Sequence, residues 1–194
     1  YDEVEVYAKS AALARGVRFV SAFDDPLVAA GNGGTLGLEI LDQRPDLRTL
    51  VAPVGGGGLI AGLAAARRYA GGTFALVGVQ SESCPSMRES LDANRPLLTY
   101  VGAPTLAEGL EGGVSETTFA VARDELARMD VVSERAIEGA MRFAKRELGL
   151  TIEGSAAVVV AWLRVHLREV QAPVVGVISG GNVDPAVLER ILSR

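Results

Sequence analysis

The chain has one cysteine, Cys84, and one histidine, His166, in 194 residues. A single cysteine excludes an internal disulfide framework and fits a reducing compartment. Lysine is almost as scarce, with only Lys9 and Lys145. No apolar run is long enough for a membrane-spanning helix. The net charge is -5 and no stretch gathers Lys and Arg, which argues against nucleic acid as a partner. The first residue is Tyr1, with no initiator Met and no signal-like segment before the first helical pattern. We therefore expect a cytoplasmic protein, and a piece of a longer chain. What is present, 48% hydrophobic and 22% charged residues, suffices for a globular core.

Glycine is plentiful instead. There are 23, against roughly 7% in average usage, gathered at 31–37 (GNGGTLG), 55–58 (GGGG), 108–113 (EGLEGG) and 179–182 (SGGN). Between them, short runs rich in β-branched residues at 17–20, 50–54, 75–79 and 174–178 are apolar throughout, the pattern of parallel strands covered on both faces. Helical patterns separate them. Residues 3–15 are amphipathic, a helix begins near Thr35, and 59–69 is nearly all small or apolar. Ala136, Ile137, Ala140, Met141, Ala144 and Leu148 share one helical face that Gly149 ends. The run 155–163 (SAAVVVAWL) has almost no polar face and predicts a buried helix with Trp162 in the core. Asp184 and Pro185 open a last helix. The alternation predicts an α/β fold: a three-layer, open, mostly parallel twisted sheet with helices on both faces.

In such a sheet, glycine turns at the strand carboxyl ends face the ligand-binding edge. Glycines ahead of a helix free successive N–H groups to converge on one anion, which the helix dipole favours. Phosphate is the natural guest of Gly55, Gly56, Gly57 and Gly58. A Walker loop is excluded, because no Gly-Lys-Ser/Thr follows Gly58. The relaxed dinucleotide fingerprint is met by Gly56, Gly58 and Ala61, with Gln80 or Glu82 where a ribose-binding acid belongs. The third option is a cofactor with a single phosphate held by backbone amides.

Four motifs in order, VAPVGGGGLIAG (51–62), PTLAEGLEGG (104–113), TIEGSAA (151–157) and ISGGNVDP (178–185), resemble the threonine/serine dehydratases and serine racemase. These are fold-type II pyridoxal 5′-phosphate enzymes with a fold like the tryptophan synthase β-subunit. The stretch 23–41 (FDDPLVAAGNGGTLGLEIL) resembles the segment ahead of that family's phosphate loop. The resemblance implies pyridoxal 5′-phosphate as cofactor and β-elimination of threonine or serine to a 2-oxo acid and ammonia. It implies that Gly55 to Gly58 bind the phosphate and that Ser179 contacts the pyridine nitrogen. By the same resemblance Gly109 lies beside the ring and Glu153 is an acid near it. It also implies a small amino-acid substrate, a homodimer or higher homo-oligomer, and no membrane partner. Residues 1–30 correspond to the end of a smaller α/β domain and 31–194 to the larger cofactor-binding domain.

Three departures stand out. The family's Schiff-base lysine lies in an SxKxRG-like motif that this chain lacks, and neither Lys9 nor Lys145 has that context. No catalytic residue is therefore assigned here. Where some relatives carry acids for a divalent cation, the chain reads VGVQSESCPS (77–86), with Gln80 and Ser86 in the acidic places. No metal is expected, and a helix start capped by Ser83 accounts for the segment. Finally, AGNGGTLG (30–37) is one residue longer than the family's GQGT-like turn, which bears on a domain hinge. His166 is expected as a surface cation near a helix end. Serine racemase, a threonine synthase-like enzyme and a non-catalytic dinucleotide-binding α/β domain remain as alternatives.

Overall fold

The computed structural model describes residues 2–193. Its strands are β1 (Thr49–Pro53), β2 (Ala75–Ser81), β3 (Arg128–Val132) and β4 (Val174–Gly176). They form one parallel sheet in the order β3-β2-β1-β4. The helices are α1 (Asp2–Ala14), α2 (Pro26–Ala29), α3 (Thr35–Gln43), α4 (Gly58–Ala70), α5 (Ser86–Asp92), α6 (Glu116–Glu125), α7 (Glu134–Glu147), α8 (Gly154–His166) and α9 (Pro185–Leu192).

β1 is the central strand. Leu50 pairs with Leu76 of β2 on one side and Val175 of β4 on the other, so all five of its residues are buried. Alternate side chains leave opposite faces of a strand and feed two cores. Val51, Val77 and Val79 pack with Ile137, Met141 and the Val158–Trp162 stretch of α7 and α8. Leu50, Ala52 and Leu76 pack with Ile60 and Leu63 of α4 and Phe119 of α6. This gives the three layers. Trp162 is wholly buried, and its Nε1 donates to Asp130 Oδ2 at 2.6 Å. α7 starts on Ser133, whose Oγ accepts from Ala136 N at 3.2 Å. Gly149 follows its end at φ 69°.

From β1 the chain steps outward through β2 to β3, then returns as β4 on the other side of β1. The carboxyl ends of β1 and β4 therefore flank the switch point of the sheet, where a crevice must open.

Three local expectations are corrected. Residues 17–20 are not a strand: no described strand lies beside them to complete a ladder, and Val17 and Val20 are exposed. β3 was absent from the sequence pattern because an edge strand carries Arg128 and Asp130 among its apolar residues. α5 begins at Ser86, not near Ser83. The long glycine turn forms a π-helical turn, Ala30–Gly34, between α2 and α3. A wider turn is how a helix absorbs an added residue. Gly33 sits so close to α4 that a Cβ there would lie 2.2 Å from Leu59 O.

Candidate functional site

At the switch point lies a cavity of about 750 Å³. Gly55, Gly56, Gly57, Gly58, Gly109, Glu153 and Ser179 all line it. The fold thus brings together every candidate site residue read from the sequence, out of turns far apart in the chain.

The tetraglycine joins β1 to α4. Gly57 turns the chain at φ 95°, in the region glycine enters at least cost, and its carbonyl accepts from Ala61 N at 2.9 Å. Packing also demands these glycines. A Cβ on Gly57 would lie 2.7 Å from Thr118 Cβ and 2.9 Å from the Met87 methyl. One on Gly58 would lie 2.7 Å from Phe23 Cα, and one on Gly56 would meet the Phe23 ring at 2.6 Å. The glycines therefore let the neighbours close in while the first N–H groups of α4 stay without helical partners. Among the described residues no Lys, Arg or His lines the cavity, whereas Glu108, Glu111 and Glu153 do. An anion here must be held by amides and the helix dipole.

The opposite wall hangs on the first turn of α8. Ser155 Oγ accepts from Gly109 N at 3.0 Å. Glu153 Oε2 accepts from Asn182 N at 3.1 Å, and Glu153 N donates to Gly180 O at 3.2 Å. Glu153 thus braces the turn that carries Ser179. Gly154 is so tightly packed that a Cβ would stand 1.9 Å from Leu106 O. Ser155 carries no sequence signal of this role within TIEGSAA, because its partner Gly109 is 46 residues away.

Behind the Gly109 loop, Glu134 collects hydrogen bonds from Thr105 Oγ1 at 2.6 Å, Leu106 N at 2.8 Å, and Ser81 Oγ. Burial works against its charge, yet the bonds from Leu106, Ser81 and Thr105 hold its carboxyl below the usual glutamate range.

The remaining candidates lie elsewhere. Lys9 pairs with Glu5 at 3.2 Å and Lys145 donates to Thr151 Oγ1 at 2.9 Å. His166 closes α8 against Glu169 at 2.9 Å. Cys84 is buried, and desolvation pushes its thiol up, the wrong direction for a nucleophile. Gln80 is wholly buried and engaged with α5, so it is closed to a ribose. Asn32, on the π-helical turn, lines the cavity and carried no sequence signal.

A family model described as pyridoxal-phosphate dependent enzyme matches residues 1–180. The L-threonine ammonia-lyase of Geobacter sulfurreducens is 36% identical over 198 residues, covering 100% of this chain and 48% of that protein. The L-threonine ammonia-lyase of Thermotoga maritima is 38% identical over 180 residues, covering 92% of this chain and 44% of that protein. The chain thus spans about half the length of the curated relatives it matches. Among solved structures, the threonine deaminase of T.th. superposes with a TM-score of 0.82 at 33% identity, covering 90% of this chain and 65% of that one. Maize serine racemase superposes with a TM-score of 0.86 at 26% identity, covering 97% and 60%. Among the described residues no helix is long and apolar enough to cross a membrane.

Proposed function

The chain belongs to the pyridoxal-phosphate dependent enzymes, in their type II fold, and we propose that it forms the cofactor cradle of an ammonia-lyase acting on threonine or serine. The observation that carries this reading is the tetraglycine turn at the α4 N-terminus, opposite Ser179 in a cavity that no described cationic side chain lines. The cradle suits a phosphate, because the first N–H groups of α4 have no helical partner and the helix dipole favours an anion there. Gly55, Gly56, Gly57 and Gly58 would hold the phosphate, the Ser179 hydroxyl would donate to the pyridine nitrogen, and the Gly109 backbone would lie beside the ring. When bound, the cofactor supplies the electron sink for the substrate's α-carbanion. A hydroxyl at Ser179, unlike a carboxylate, would place no negative charge beside that nitrogen. Glu153 keeps Ser179 in place by bracing its turn.

We assign the Schiff-base lysine to a part of the enzyme outside these 194 residues, because Lys9 and Lys145 both stand away from the cavity. In this reading residues 1–30 end a smaller domain, residues 31–194 make up the larger one, and the enzyme is a cytoplasmic homo-oligomer. The names of the 36–38% identical relatives favour threonine. The likeness to serine racemase keeps racemisation as the second reading, to be separated by assaying the enzyme for D-serine and for ammonia.

Calorimetric titration of the chain with 4-deoxypyridoxine 5′-phosphate, which has no aldehyde and needs no lysine, tests the cradle. We expect saturable binding at one site and none of NAD. Preferential binding of NAD would reverse the choice of ligand.

A further inference from the structure

We propose that Gln80 is a positioning residue for the tetraglycine turn, acting through α5 and Met87. The inference rests on reading the cavity as a pyridine-phosphate site. Gln80 closes the core near the end of β2 and has no solvent exposure. Its Oε1 accepts from Met87 N and from Arg88 N, both at 3.1 Å, and its Nε2 donates to Ser86 Oγ at 3.4 Å. Both ends of a buried amide are therefore engaged, which fixes its rotamer and its reach.

α5 depends on such outside supports. At seven residues it is far too short to hold itself as a helix. Ser90 Oγ donates to Ser86 O at 2.6 Å and accepts from Leu97 N at 3.0 Å. Arg88 Nη1 donates to Met129 O on β3 at 2.9 Å. Gln80 is the support at the amino end, where Met87 sits.

Met87 is the link to the site. It is wholly buried, and its methyl lies 2.9 Å from the place a Cβ on Gly57 would occupy. With Thr118 it forms the floor on which Gly57 makes its left-handed turn into α4. A thioether side chain adapts to many shapes, so its position is set by the backbone that carries it. Releasing Met87 N and Arg88 N lets α5 shift, and the floor under Gly57 shifts with it. The amides of the turn then no longer converge on one point. A leucine at position 80 would fill much of the volume of Gln80 and supply none of these bonds.

The test compares two probes on the chain and its variants, 4-deoxypyridoxine 5′-phosphate and unphosphorylated 4-deoxypyridoxine. Gln80→Leu should lose about tenfold or more in affinity for the phosphorylated probe. It should change by less than about twofold for the other, with cooperative unfolding retained. Met87→Ala should move in the same direction, by about three- to fivefold. A merely structural role weakens both probes alike. Equal losses, or none, would overturn the assignment. If Gln80→Leu does not fold, Met87→Ala decides, and an unchanged preference for the phosphorylated probe overturns it. Wild-type chain that binds neither probe overturns the cofactor reading and this inference together.

Discussion

The turn after β1 and the turn after β4 reach the same cavity, the first with its glycines and the second with Ser179, but they are held by opposite means. The tetraglycine is gripped by packing: Thr118 and Met87 press on Gly57, and Phe23 on Gly56 and Gly58. The Ser179–Asn182 turn is largely exposed and is held by the carboxylate of Glu153. One loop owes its shape to the absence of side chains, the other to the presence of one. The first should be sensitive to added volume, the second to lost hydrogen bonds.

The largest effect should follow from adding a methyl group to each turn. Gly57→Ala imposes a left-handed φ on a side chain and drives a Cβ into Thr118 and Met87, at a cost of about 2–4 kcal/mol. Gly180→Ala has the carboxylate atoms of Glu153 as its nearest neighbours, the end of a flexible side chain, and should cost about 1 kcal/mol, the hydrogen bond to Asn182 N that the displaced carboxylate gives up. Urea denaturation of the two variants checks this, and equal losses would erase the contrast.

The carboxylate-braced side of the cavity should be the acid-sensitive one. Glu134 holds the Gly109 loop at Thr105 and Leu106, and its folded pKa is lowered. Its contribution is therefore present above the ordinary glutamate range, about 4.3, and is lost as pH falls through the lower folded value. Glu134→Gln should be less stable than wild type near neutrality by about 1 kcal/mol, allowing for solvent screening. That gap should close as the solution is acidified. A gap independent of pH would show that the charge contributes nothing.

The smallest effect concerns Ser179 itself. It is exposed, so Ser179→Ala should change stability by less than roughly 0.5 kcal/mol. Loss of one hydrogen bond should weaken binding of 4-deoxypyridoxine 5′-phosphate by about two- to tenfold. Unchanged affinity would make Ser179 a turn residue only.

The same division explains what could be read from the sequence. β1 and β2 were legible because both their faces are buried, which leaves unbroken apolar runs. The tetraglycine was legible because the neighbours of Gly56, Gly57 and Gly58 leave no room for a Cβ. What depends on partners distant in the chain was not. The polar residues of β3 make sense only beside α8: Asp130 takes the Trp162 N–H, and Arg128 lies over that ring at 5.4 Å. Residues 17–20 have the composition of a strand but no described strand to pair with. The start of α5 was misplaced because the group that satisfies its first amides is Gln80, on the preceding strand, rather than a serine next to the helix.

The central claim is that backbone amides of the tetraglycine turn hold a phosphate. Amide chemical-shift mapping of the isotope-labelled chain with 4-deoxypyridoxine 5′-phosphate tests this most directly. The largest shifts should fall on Gly55, Gly56, Gly57 and Gly58, and should vanish when the unphosphorylated probe is used. Shifts centred elsewhere, or equal for both probes, would contradict the claim.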